Sequence, residues 1–218
     1  MRIGLISYHP TVSPATAEEM DSDFQSLCRY VATLQQYGYQ VHWLSSTDTA
    51  AALAQDPRLI TADEQDVPAT CRYVVPYQPY RFAGVSLLCV DSTCWQRPDL
   101  HTRLFTLLCL LQRERPCTVL HAWGTLGAIY MAVYTAGYLS VPAVVSYGPA
   151  CRHAGPQQPF LWQWVAQHAA TAVVATAADQ ESLVATTDLP PARVHVIDPT
   201  RPPEAHTLAA LYGGGYNP

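Results

Sequence analysis

His121 follows the apolar run Thr118-Val119-Leu120 and precedes Ala122-Trp123-Gly124, which places a histidine where a strand hands over to a helix. An imidazole there titrates near neutrality and suits general acid–base work or the binding of a hydroxyl or phosphate. The competing reading is a hydrogen-bonded core histidine at a strand end. Gly124 and Gly127 keep the following turn open to a closely approaching ligand. His9, in Ser7-Tyr8-His9-Pro10, holds the same end of the first strand, with a surface loop histidine as its alternative. Ser146-Tyr147-Gly148 offers a hydroxyl and a flexible glycine to a polar ligand, or forms an ordinary turn. Arg152 and His153, just beyond, can attract an anionic acceptor. Phe160, Trp162 and Trp164 read as core or lid packing before they read as a sugar-stacking platform. His42, His101, His168 and His195 have no partners at recognisable spacing and read as structural.

Several chemistries are excluded. All twelve basic residues are arginine, so a lysine-dependent phosphate loop, a Schiff base and a pyridoxal-phosphate anchor are absent. No glycine lies between Gly4 and Gly38, so the G-x-G-x-x-G turn that lets a dinucleotide pyrophosphate approach the first strand is missing. No G-x-S-x-G elbow occurs. A formal charge of −5 with dispersed arginines gives no dense positive field for nucleic acid. The seven cysteines include no C-x-x-C and none at ligand spacing from a histidine. They read as reduced, buried thiols in a cytoplasmic protein, with neither metal nor cofactor expected. Residues 116–151 contain no charged side chain, but glycines and prolines interrupt them before the roughly 20 apolar residues of a membrane span.

Positioning such residues requires strands that alternate with helices. Strands are predicted over Arg2 to Ser7, Gln40 to Leu44, Tyr73 to Val75, Thr118 to His121, Pro142 to Ser146, Thr171 to Ala175 and Val194 to Ile197. Phe24, Leu27, Cys28, Val31 and Leu34 recur at helical spacing up to Gly38, with Thr16 and Glu19 as a capping box. Further helices are predicted over Leu100 to Leu111, Thr125 to Tyr138, Phe160 to His168 and Ala178 to Ala185. This order implies an α/β, Rossmann-like, doubly wound and mainly parallel sheet of about seven strands with helices on both faces. The 218 residues, 49% of them hydrophobic, suit one domain over 1–204 and a loose glycine-rich tail over 205–218. Residues 46–97 are less periodic and read as a binding loop or a small added element.

Five motifs in order resemble the N-terminal domain of family-4 glycosyltransferases of the GT-B fold. They are the opening strand, Leu34-Gln-Gln-Tyr-Gly-Tyr-Gln-Val41, Val119-Leu-His-Ala-Trp123, Pro142-Ala-Val-Val-Ser-Tyr-Gly148, and the stretch from Ala172 through Ile197. The resemblance implies transfer of a sugar from a nucleotide sugar, with His121 catalytic. It also implies His9, Trp123, Gly124, Ser146, Tyr147, Gly148 and Arg152 as substrate-binding residues, and a sugar or glycolipid acceptor. The family's E-x7-E pair is absent, since none of Glu18, Glu19, Glu64, Glu114, Glu181 and Glu204 has a second glutamate eight residues on. The expectation is an acceptor-side domain that transfers sugar only with a separate donor-binding glycosyltransferase subunit. The alternative is a non-catalytic ligand-binding or scaffolding module on the same fold.

Overall fold

The computed structural model describes residues 1–8, 17–63, 67–148, 151, 159–187, 189–198 and 201–213. The expectations for His9, Arg152, His153 and the Thr16 cap fall outside them. Among the described residues nine strands form one sheet: β1 Arg2–Tyr8, β2 Gln40–Ser46, β3 Leu59–Thr61, β4 Tyr77–Phe82, β5 Val85–Val90, β6 Val119–Gly124, β7 Ala143–Tyr147, β8 Thr171–Val174 and β9 Val194–Val196. Their order is β3-β4-β5-β2-β1-β6-β7-β8-β9, parallel throughout except where β4 pairs with β3 and β5. The chain fills one side of β1 before crossing to the other, so the winding reverses between β1 and β6.

The helices are α1 Ala17–Gln36, α2 Thr47–Ala52, α3 Thr93–Gln96, α4 His101–Glu114, α5 Leu126–Leu139, α6 Pro159–His168, α7 Ala177–Thr187 and α8 Ala205–Gly213. The sheet is apolar on both sides, as buried parallel strands are. Strand alternation splits the core in two. Ile6, Leu44, Leu120, Ala122 and Val145 pack with α4, α5, α6 and α7 residues such as Leu104, Ile129, Val165 and Leu183. Ile3, Leu5, Val41, Trp43 and Val144 pack with Leu27, Val31 and Leu34 of α1 and with Leu208 and Leu211 of α8.

Three elements differ from expectation. Tyr73 to Val75 is not a strand: Ala69–Tyr73 is a short 3-10 turn that buries Cys71. The strands of this region are β4 and β5, joined through Ala83 and Gly84, both with positive φ (50° and 83°). That geometry matches the twist of a two-residue hairpin, although alanine there lacks the usual Asn or Gly signal. Residues 205–213, expected in a loose tail, form α8 with Leu208 and Leu211 buried.

Candidate functional site

Open α/β sheets bind ligands beyond the carboxyl ends of their strands. Here a cleft of about 380 Å³ opens at that end of β6 to β9. Its walls are Asp23, Ser26 and Tyr30 of α1, Trp123 of β6, Ser146 and Tyr147 of β7, and Asp198 and Arg201 after β9. Thus Trp123, Ser146, Tyr147 and Gly148 meet at the cleft, while His121 and Gly124 are not part of its wall.

Gly124 has φ +106°, and a Cβ there would lie 2.3 Å from the Tyr8 carbonyl oxygen. Its missing side chain lets β6 reach β1, where Tyr8 pairs with Gly124, and makes no room for a ligand. His121 stands behind the wall with no solvent exposure. Its Nε2 lies 2.8 Å from Ser146 Oγ and its Nδ1 2.6 Å from the Tyr212 hydroxyl, which itself lies 2.6 Å from the Tyr30 hydroxyl. Tyr30 also meets the imidazole edge-on. Burial pushes the imidazole pKa down to about 3, so His121 is neutral at pH 7. A ring sealed this way does not touch a ligand; it orients Ser146, which does line the cleft.

The residue that sequence reasoning missed is Asp23. It is 8% exposed, lines the cleft and accepts the Trp123 indole N–H at 3.0 Å. Gly148 is required beside it, since a Cβ at that position would sit 2.9 Å from Asp23 Oδ1. A signal was available: Asp23 sits four residues before Leu27 and seven before Tyr30, on the face of α1 that packs into the core.

Tyr147 stacks on buried Trp162 at 4.9 Å, so Trp162 buttresses the cleft from behind. Trp164 packs against Tyr130 and His168, and Phe160 points outward at 86% exposure; neither lines the cleft. Arg29 donates to Ser26 Oγ, and Arg201 pairs loosely with Asp198 at 3.7 Å on the exposed rim. Among the described residues no group of three or more His, Cys, Asp or Glu is placed to hold a metal ion. No helix among them is long and apolar enough to cross a membrane.

The fold has solved relatives. UDP-GlcNAc 2-epimerase from Methanocaldococcus jannaschii superposes with a TM-score of 0.55 at 8% identity, over 90% of this chain and 45% of that one. The enzyme from Neisseria meningitidis, solved with UDP-GlcNAc, gives 0.54 at 10% identity, over 90% and 46%. The Anabaena protein HepE, in complex with UDP and glucose, gives 0.51 at 13% identity, over 90% and 44%. The chain shares their fold. It has a Rossmann-like fold matching part of these GT-B-type structures and spans less than half of their length. No protein-family model matches the chain, and no curated protein matches it in sequence.

Proposed function

We propose that this chain is a glycosyltransferase-like, acceptor-side domain of family-4 type whose cleft binds a sugar or sugar nucleotide. The observation that carries the reading is the cleft, where a carboxylate and a hydroxyl, each anchored from behind, share a wall with aromatic rings. Asp23 accepts a ligand hydroxyl, Ser146 supplies the second polar contact, and the rings of Trp123 and Tyr147 cover the apolar faces of a sugar. The fold shared with proteins solved with UDP-GlcNAc, or with UDP and glucose, supports that ligand class.

Asp23, rather than His121, is the group placed to take a proton from an acceptor hydroxyl. Charge developing on a leaving nucleotide needs preorganised partners of its own, and no E-x7-E pair is present to supply them. In this reading the donor side is supplied by a separate donor-binding glycosyltransferase subunit. The free cysteines, buried apart from Cys109, suit a reducing compartment such as the cytoplasm.

Titration calorimetry with UDP, UDP-GlcNAc and free monosaccharides tests the binding, and a transfer assay on the purified chain tests its incompleteness. Binding without transfer is expected. Sugar transfer by the chain alone would overturn the partner requirement, and absence of binding by every probe would overturn the site. The burial of His121 favours a second reading, a non-catalytic module that kept the cleft. Affinity purification of the tagged chain separates the two: a stoichiometric companion carrying an E-x7-E pair supports the split enzyme, and a solitary chain supports the module.

A further inference from the structure

Helix α5 carries no charged residue on any side. Ile129, Ala132, Val133 and Ala136 pack into the core, while Gly127, Tyr134, Gly137 and Tyr138 face outward. A helix that is apolar all round belongs inside a larger assembly or a membrane. At 14 residues α5 is too short to cross a bilayer, which takes about 20. Yet Tyr134 is 47% exposed and Tyr138 69%, and no element among the described residues covers them.

The exposed rings do not stand singly. Phe105 of α4 meets Tyr134 and Tyr138 at 5.4 and 5.2 Å, Tyr134 stacks on Tyr130 at 6.0 Å, and Tyr130 meets Trp164 of α6 at 5.1 Å. Each ring is held by the next, so covering them loses little side-chain entropy, and aromatic residues are enriched at the centres of interfaces. With α5 packed between α4 and α6, the three helices offer a face about 20 Å long and about 28 Å wide. Two such faces bury about 1,200 Å² together, which is enough for a specific pair.

Charge and pattern choose the occupant. Neither α5 nor α6 contains Asp, Glu, Lys or Arg, in a chain of formal charge −5. A neutral face meets its own copy without opposing like charges, and it has no basic cluster to draw in an anionic lipid surface. The outward stripe Gly127, Tyr130, Tyr134, Gly137 has spacings of three, four and three, so it is the same read in either direction. About a two-fold axis at the level of Ala132, an antiparallel copy sets Gly127 against Gly137 and Tyr130 against Tyr134 at both ends of the contact. The tyrosine rings at the centre hold the helices apart, and the glycines at the ends give the rings room. Such self-complementarity is what an isologous pair requires.

We infer that the α5 face is the interface of a symmetric dimer, in which the α5 helices of two copies of this chain pack antiparallel across a two-fold axis. The cleft and its ligand do not enter the inference. Helix α5 covers the side of the sheet opposite α1, so the pairing leaves the α1 wall of the cleft free.

Sedimentation equilibrium of the full chain, from about 1 to 100 μM, reads the assembly directly, since interfaces of this size dissociate at micromolar concentration or below. A mass of two chains is expected at the top of that range. A single-chain mass throughout overturns the dimer, and flotation of that monomer with phosphatidylserine vesicles would give the face to a lipid surface instead. Tyr134→Arg brings like charges together beside the axis and is expected to raise the dissociation constant at least about a hundredfold. Gly137→Arg is expected to do the same. Arginine is the better helix former, its charge suits a helix C-terminus, and a Cβ there meets nothing within 4 Å, so this variant folds even if Tyr134→Arg does not. Tyr37→Arg, at a comparably exposed tyrosine just beyond α1, is the control expected to stay dimeric. A dimer that survives both face substitutions, or that all three substitutions dissociate alike, defeats the inference.

Discussion

The indole N–H of Trp123 donates to the carboxylate of Asp23 at 3.0 Å, joining β6 to α1 across 100 residues of sequence. The bond orients a carboxylate at the edge of the cleft and satisfies an indole that is otherwise buried. Asp23→Asn keeps an acceptor for Trp123 and removes the charge. It is expected to leave stability within about 1 kcal/mol and to weaken sugar or sugar-nucleotide binding. Asp23→Ala strands the indole and is expected to cost about 1–3 kcal/mol. Urea denaturation and calorimetry read the two effects separately. Unchanged affinity in Asp23→Asn would remove this residue from the site.

Helix α8 closes the core over the face that holds His121. Leu208 and Leu211 are buried against α1-side residues, and Tyr212 reaches the imidazole. Ending the chain after Glu204 is expected to unfold it or lower its stability by several kcal/mol, and Leu208→Ala alone by about 2–5 kcal/mol. Denaturation of both variants checks this, and a truncated chain as stable as the parent would show α8 to be an appendage.

The alternation of apolar runs and helical stripes made the parallel sheet legible, because strands buried on both faces leave little choice of period. The β4–β5 hairpin was hidden by Ala83-Gly84, which lacks the usual turn chemistry, and by Pro79 inside a strand. Helix α8 was hidden by the glycines that follow it, which draw the eye away from Leu208, Leu211 and Tyr212. The strand end carrying His121 was legible. The seal over it was not, since Tyr212 arrives from the far end of the sequence. Ser146 and Trp123 could be placed at strand ends by pattern. Asp23 required noticing a charged residue on the buried face of α1.

Two glycines near the cleft invite opposite outcomes. Gly124→Ala places a methyl 2.3 Å from the Tyr8 carbonyl oxygen at φ +106°, and backbone there cannot swing aside like a side chain. It is expected to cost about 3 kcal/mol or more, or to yield no soluble protein. At Gly127, inside α5, an added methyl would meet nothing within 4 Å. Gly127→Ala is expected to stabilise by about 0.5–1 kcal/mol through helix propensity. Thermal denaturation of the pair checks both, and equal effects would refute the close approach of β6 to β1.

Acid should destabilise this protein through its histidines before its carboxylates are protonated. Burial holds the folded His121 pKa down at about 3. Burial, with Arg115 and Arg2 nearby, holds that of His42 at about 4. In the unfolded chain both return to about 6.5. Between those limits the unfolded state binds more protons, so these rings leave stability unchanged above about pH 6.5, lower it steadily as pH falls below that, and stop lowering it once pH has passed the folded values. Urea midpoints measured from pH 7 to pH 4 are expected to fall steadily. His121→Gln, less stable at pH 7 because it disturbs Ser146 and Tyr212, is expected to show a shallower decline. His42→Gln should flatten the curve less, since that ring is partly exposed and its charge is better solvated. A His121→Gln slope equal to the parent's would mean that the imidazole titrates normally in the folded protein and that its seal is open to water.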